Sequence, residues 1–172
     1  MRNFSTHMID PGEAPWLISS DDFALYDVLA LLRASFQYMD ARIDPPSSIH
    51  SLNVEGMQVH CQGGGEIWAV GRPLFACMFL TPKPDSLYLG KLAVKDGLRG
   101  QGIGRRLVDH AARRAAELGL PALELETRVE LTENHRVFSR LGFTIVSTGS
   151  REGYDRPTDF LLRKPISLSA DS

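Results

Sequence analysis

Cysteine is scarce in this chain: Cys61 and Cys77 are the only two, too few for a disulfide framework. Two free thiols suit a reducing, cytoplasmic setting. Long apolar runs are missing as well. The best stretch, Phe23 to Phe36, is interrupted by Asp27 and Arg33 and falls short of the ~20 residues that a membrane span needs. Met1 to Trp16 holds no apolar core of signal-peptide length, so export is not expected. Nor is there an excess of positive charge. A net charge of −2 argues against a dedicated nucleic-acid binder. Internal repeats and low-complexity tracts are absent from the sequence. The remainder has an ordinary globular profile, 43% hydrophobic and 23% charged over 172 residues. The expectation is a loose segment over 1–14 followed by one domain over 15–168.

Apolar residues at Leu25, Val28, Leu29, Leu32 and Phe36 recur at helical spacing and predict a helix over 22–39, capped by Ser20 or Asp21. A short strand at 16–18 precedes it. Asp44-Pro45-Pro46 ends that region, and Ser47 or Ser48 starts a second short helix reaching about Gly56. If extended, His60 and Cys61 point to opposite faces and make a poor metal pair. After the Gly63-Gly64-Gly65 turn the period changes. Residues 66–70, 73–81 and 86–94 read as an antiparallel meander. A helix over 102–118, a strand over 122–127, a helix over 132–141 and a strand over 143–147 follow, with a last strand over 159–163. The strand–helix–strand unit requires its two strands to run parallel.

The informative stretch runs from Leu92 to Leu107, where a strand ends, a glycine-rich loop follows and a helix begins. A helix N-terminus presents unpartnered N–H groups and about half a positive charge. Glycines let phosphates approach those amides without meeting a Cβ. Residues 91–114 carry seven of the 19 basic residues (Lys91, Lys95, Arg99, Arg105, Arg106, Arg113, Arg114) against Asp96 and Asp109. A polyanionic ligand is the simplest explanation. A P-loop would need Lys-Ser or Lys-Thr where Ile103-Gly104 stand. A dinucleotide fingerprint starting at Gly100 would need a small residue where Arg105 stands, although Glu124 lies near the place of a ribose-binding acid. A plain tight turn would use one or two of the glycines and none of the arginines.

Arg99-x-x-Gly102-x-Gly104 resembles the acyl-CoA signature Gln/Arg-x-x-Gly-x-Gly/Ala of the GNAT superfamily of N-acetyltransferases. Asn134 with Phe138-Ser139-Arg140-Leu141-Gly142-Phe143 is similar to that family's Asn…Phe-Tyr-x-x-Leu-Gly-Phe segment. Matching covers about residues 86–147. The resemblance implies an α/β (α+β) fold: a mixed, mostly antiparallel sheet with a central splayed parallel strand pair, flanked by helices. It implies an acetyl-CoA-dependent N-acyltransferase that moves an acetyl group to a primary amine by direct attack on the thioester. Leu92, Ala93 and Val94 would lie on the splayed strand and pair with the pantetheine arm. Arg99, Gly100, Gln101, Gly102, Ile103 and Gly104 would hold the pyrophosphate, with Arg105 close by. Asn134 would hydrogen-bond the coenzyme arm and Phe138 would pack beside it. The partners implied are acetyl-CoA and an unidentified amine, with no nucleic acid and no membrane; a homodimer is compatible with the reading. A non-catalytic acyl-CoA-binding protein on the same fold is the alternative.

Such chemistry needs a neutral amine, a stabilised oxyanion and a thiolate that can leave. An alkylamine of pKa ~10.4 is protonated at pH 7, and presenting it neutral costs roughly 4–5 kcal/mol without help. Glu126, at the end of the strand facing the splay, is the first candidate for the base, with Glu124 and His135 as rivals. Ser139 stands where many relatives of the family carry a tyrosine that acts as general acid. Water held by Ser139, or Tyr88, or Tyr154, could replace that acid, or none is used, because a thiol of pKa ~8.5 leaves readily. An N–H near Leu92 to Val94 is the natural oxyanion donor. Pro45-Pro46-Ser47-Ser48 falls where the family often borders its acceptor pocket. Trp16 and Trp68 read as core or pocket wall.

Overall fold

The helical spacing near the start buries Leu25, Val28, Leu29 and Leu32 on one face of α1 (Ala24–Phe36), which tightens into a 3-10 turn at Gln37–Met39. The structure is a computed structural model and describes residue 10 and residues 12–167. The expected loose segment over 1–14 therefore lies mostly outside the described residues. Asp22, rather than Ser20 or Asp21, supplies the first-turn acceptor of α1: its Oδ1 takes the Ala24 N–H at 2.8 Å. The single helix expected over 47–56 is two elements. Ser47 caps a 3-10 turn at Ser48–Ser51, and α2 (Val54–Gln62) starts afresh behind Asn53. Asn53 Oδ1 accepts the Gly56 N–H at 2.8 Å, so that glycine sits inside the first turn instead of ending the helix. His60 and Cys61 thus belong to a helix, not a strand.

Seven strands form one sheet: β1 (Trp16–Leu17), β2 (Glu66–Val70), β3 (Ala76–Pro82), β4 (Leu87–Val94), β5 (Ala122–Arg128), β6 (Thr144–Gly149) and β7 (Asp159–Pro165). Their spatial order is β1-β2-β3-β4-β5-β7-β6. Every neighbouring pair is antiparallel except β4 and β5, which run parallel and are joined through α3 (Ile103–Glu117). α4 (Thr132–Arg140) leads from β5 to β6. Those two strands point the same way, as expected, but β7 lies between them.

Alternation along the strands divides the core in two. Leu80, Leu87, Leu89, Leu123, Leu125 and Leu162 pack under Ile103, Leu107, Val108, Ala111 and Ala115 of α3. Ile67, Ala69, Cys77, Phe79 and Ala93 pack under α1 and α2. Leu118, expected on the apolar face of α3, instead caps its end and is exposed. Trp68 lies edge-on to His110, and Trp16 donates to the Gly71 carbonyl at 3.1 Å. Among the described residues no helix is long and apolar enough to cross a membrane.

Candidate active site

The site begins with a ladder that stops early. β4 and β5 pair only at Leu87↔Leu123 and Tyr88↔Glu124; beyond them the strands diverge. On the other side of β4, Cys77↔Ala93 is followed by Phe79↔Gly90, so Lys91 and Leu92 together oppose Met78. This is a β-bulge, and Lys91 occupies its left-handed position at φ 50. A bulge bends its strand, and here it coincides with the splay. From Leu89 onward the edge of β4 that faces β5 meets no strand, leaving backbone groups for a ligand.

Below the splay lies a cleft of about 650 Å³, within the usual size of a small-molecule site. Leu92, Ala93 and Val94 form one wall, Asn134, Val137, Phe138 and Leu141 of α4 the other. Its floor is the glycine loop: Arg99, Gly100, Gly102, Ile103, Gly104 and Arg105. Gly102 caps α3 at φ 81, a conformation that side chains rarely adopt. Arg106 is the residue whose N–H reaches the Gly102 carbonyl, at 3.1 Å, so the amides before it have no partner within the helix. A Cβ built on Gly100, Gly102 or Gly104 would meet nothing within 4 Å. The loop is therefore an open cradle of amides flanked by Arg99, Arg105 and Arg140, and it fits a diphosphate. Gln101 is exposed beside it and does not line the cleft.

A second cavity, of about 210 Å³, lies across the same strands. Phe36, Met39, Leu92, Asn134 and Phe138 line both cavities, so the two meet there. Tyr88, Lys91, Glu126, Arg128, Arg151 and Asp159 supply the second cavity's charged and phenolic groups, with Ser47 and Ser48 on its wall. Period-two alternation puts Glu124, Glu126 and Arg128 on one face of β5, opposite Arg163, Leu161 and Asp159 of β7. Glu124 is buried and engaged by Arg163 Nη1 at 2.6 Å. Glu126 is exposed to the cavity. Arg151 holds Asp159 through two bonds, at 3.1 and 3.2 Å, and the Thr158 hydroxyl donates to it at 2.6 Å. Burial raises the Asp159 carboxyl, but those bonds outweigh it and keep the group below the usual range. Burial, then the charges of Glu126 and Asp159, push the Tyr88 phenol far up, so it stays protonated. Burial lowers the Lys91 ammonium. Over the rim, Tyr154 donates to Asp44 Oδ1 at 2.7 Å and Arg156 to the Asp44 carbonyl at 2.8 Å, latching the loop before β7 to the loop after α1.

Ser139 and His135, like Glu124, Tyr154 and Gln101, line neither cavity. Ser139 is exposed on α4 and lines neither, because Asn134, Val137, Phe138 and Leu141 form the inward stripe of that helix. His135 is turned to the backbone, its Nε2 on the Arg128 carbonyl at 3.0 Å and its ring edge-on to Phe160. The basic cluster around the loop also divides. Arg114 is spent on Glu66, through Nε at 2.9 Å to each carboxylate oxygen and Nη2 at 2.6 Å, while Lys91 faces the second cavity.

Solved structures share this architecture. The PaiA N-acetyltransferase of Thermoplasma acidophilum, solved in complex with coenzyme A, superposes with a TM-score of 0.72 at 17% identity, over 89% of this chain and 99% of that one. A GNAT family acetyltransferase of Elizabethkingia anophelis, with acetyl-CoA bound, gives 0.61 at 17% identity over 89% and 97%. Aminoglycoside 6'-acetyltransferase type Ii gives 0.68 at 24% identity over 90% and 97%. None of the curated proteins matches in sequence. The sequence profile of the Acetyltransferase (GNAT) family matches residues 26–143, which spans the bulged strand, the glycine loop and α4. With that profile over most of its length and the splayed sheet beneath it, the chain belongs to the GNAT acetyltransferase family.

Proposed function

We propose that this acyltransferase moves an acetyl group from acetyl-CoA to the nitrogen of a primary amine. The observation that carries the reading is the meeting of two cavities at the splay. One is floored by an amide cradle suited to a diphosphate, and the other holds a carboxylate suited to an amine. The glycine loop and α3 N-terminus hold the phosphates. The free edge of β4 takes the pantetheine arm as an added strand. Asn134 and Phe138, shared by both cavities, position the arm where it turns toward the acceptor. When bound, acetyl-CoA supplies an electrophilic thioester and a thiol leaving group.

The chain's own part is to bring in the amine neutral and to steady charge. Glu126 takes the ammonium proton, directly or through water. A β4 amide beside Leu92 donates to the carbonyl oxygen as negative charge grows on it. The Tyr88 phenol lines the same pocket and stays protonated, so it can give the departing sulfur a hydrogen bond, and the thiolate, a fair leaving group, takes its proton from solvent. The amine nitrogen gains the acetyl group and loses its proton; the sulfur leaves as thiolate and is protonated. Release of free thiol from acetyl-CoA in the presence of a mixture of primary amines tests the reading. Thiol release that depends on the amine is expected. Coenzyme binding without any release would leave a non-catalytic binder.

A further inference from the structure

The acceptor pocket holds more positive charge than it neutralises. Lys91, Arg128 and Arg151 line it against Glu126 and Asp159. Arg151 is committed to Asp159. Arg128 is 6% exposed, and none of its three guanidinium nitrogens has a hydrogen-bond partner among the described residues. Its nearest anion, Asp159 Oδ1, is 3.9 Å from Nε, too long for a hydrogen bond. Glu130 is close enough to be felt, but its Oε2 accepts the Asp44 N–H instead. Lys91 is half-buried on the bulge with no ion pair among the described residues; its Nζ lies 5.4 Å from the Phe79 ring. A buried guanidinium without acceptors is costly. With Arg151 spent on Asp159, Lys91 and Arg128 face a single further carboxylate, Glu126, so the pocket keeps a net positive charge that calls for a counter-charge from the ligand.

We propose that the acceptor is an amine that also carries a carboxylate, the carboxylate received between Arg128 and Lys91 while the amine faces Glu126. This rests on the transferase reading above and names its substrate class. Arg128 stands two residues from Glu126 on the same face of β5, so one small molecule can meet both. Arg128 offers a planar fork that matches a carboxylate, and Lys91 adds a point charge from across the splay. The same positive lining disfavours polycationic amines, whose extra ammonium groups would find no anion beyond Glu126 and the occupied Asp159.

The test uses matched pairs: glycine against glycinamide, and β-alanine against β-alaninamide, with ethylamine and spermidine as acceptors without a carboxylate. Thiol release from acetyl-CoA should show kcat/KM at least ~10-fold higher for each acid than for its carboxamide. That ratio should collapse in Lys91→Met and recover in Lys91→Arg. Lys91 is half-buried, so its variants stay interpretable if Arg128→Gln fails to fold. Equal rates for acid and carboxamide, or a preference for spermidine, would overturn the proposal. Calorimetry of N-acetylglycine against N-acetylglycinamide on the CoA-saturated protein separates this inference from the transferase reading. If no amine releases thiol yet the acid binds tighter, transfer falls and the carboxylate site stands. If acid and carboxamide bind alike, the carboxylate site falls whatever the turnover.

Discussion

At the scale of single residues the weight falls on β5. Of the two carboxylates that line the acceptor pocket, Asp159 is held by Arg151, while Glu126 has no arginine hydrogen bond among the described residues; Glu124, outside the pocket, is taken by Arg163. Glu126→Gln should lower kcat/KM for an amine acceptor by ~10²-fold at pH 7, because the amide cannot accept the ammonium proton. Steady-state rates across pH check the role. The loss should be largest at low pH, where the amine arrives protonated, and shrink toward an alkylamine's own pKa of ~10.4. Coenzyme affinity should not move. Ser139→Ala, in an exposed residue outside both cavities, should leave kcat within ~2-fold; a loss as large as that of Glu126→Gln would return the serine to the mechanism.

Among the elements, β7 ties the pocket together. Its first residue, Asp159, receives Arg151 from the preceding loop and lies opposite Arg128 of β5. The Asp159 carboxyl is depressed in the folded protein, so its stabilising effect is complete above the unfolded value, ~3.9, and is lost as pH falls through the lower folded value. Asp159→Asn should therefore destabilise the protein at neutral pH, by about 2 kcal/mol, the scale of hydrogen bonds to a charged group. Urea unfolding at pH 7 and in acid checks the sign: the gap between wild type and variant should close at the acid end. A gap that widened in acid would mean that the pair does not stabilise the fold. Aiming β5 and β7 this way leaves β6 at the sheet edge, with all six of its residues exposed.

For the whole molecule, the sheet separates a half-core on each face and splits between β4 and β5, and the ligand cleft is the price of that split. A ligand filling the cleft bridges β4, the glycine loop and α4. Acetyl-CoA at 100 times its Kd should add ~2.7 kcal/mol, which for a domain of this size is an upshift of roughly 5–10 °C in Tm. Thermal melts with and without coenzyme measure it. Gly104→Val should abolish that shift while the unliganded Tm stays near the wild-type value. Residue 104 lies in the first turn of α3 with open space where the Cβ would go, so the valine fills the cradle, not the core. A full shift in the variant would move the phosphate site elsewhere.

Local periodicity and punctuation were enough to find the strands and every helix but α2, expected to end near Gly56 where it begins, because alternation and helical spacing are properties of neighbours along the chain. The glycine loop was legible for the same reason: Arg99 to Gly104 are contiguous, and a strand-to-helix turn with glycines at those places presents amides wherever it folds. Even the shared face of Glu124, Glu126 and Arg128 follows from period two. The caps at Asp22 and Asn53 escaped, because several polar residues stood at each helix start and only the backbone path chooses among them. The bulge at Lys91 could not be read either, since it depends on a register with β3 that shifts between Cys77 and Phe79. Likewise, Arg151 and Asp159 reach the pocket from a loop and a strand that enter the sheet after β5, and Asp44 meets Tyr154 across more than a hundred residues. Which of three glutamate and histidine candidates lines the cavity was decided there: Arg163 claims Glu124, a backbone carbonyl claims His135, and Glu126 is left toward the cavity. Such choices are made by long-range pairing, in which partners compete for the same groups, and no stretch of sequence contains both sides of that competition.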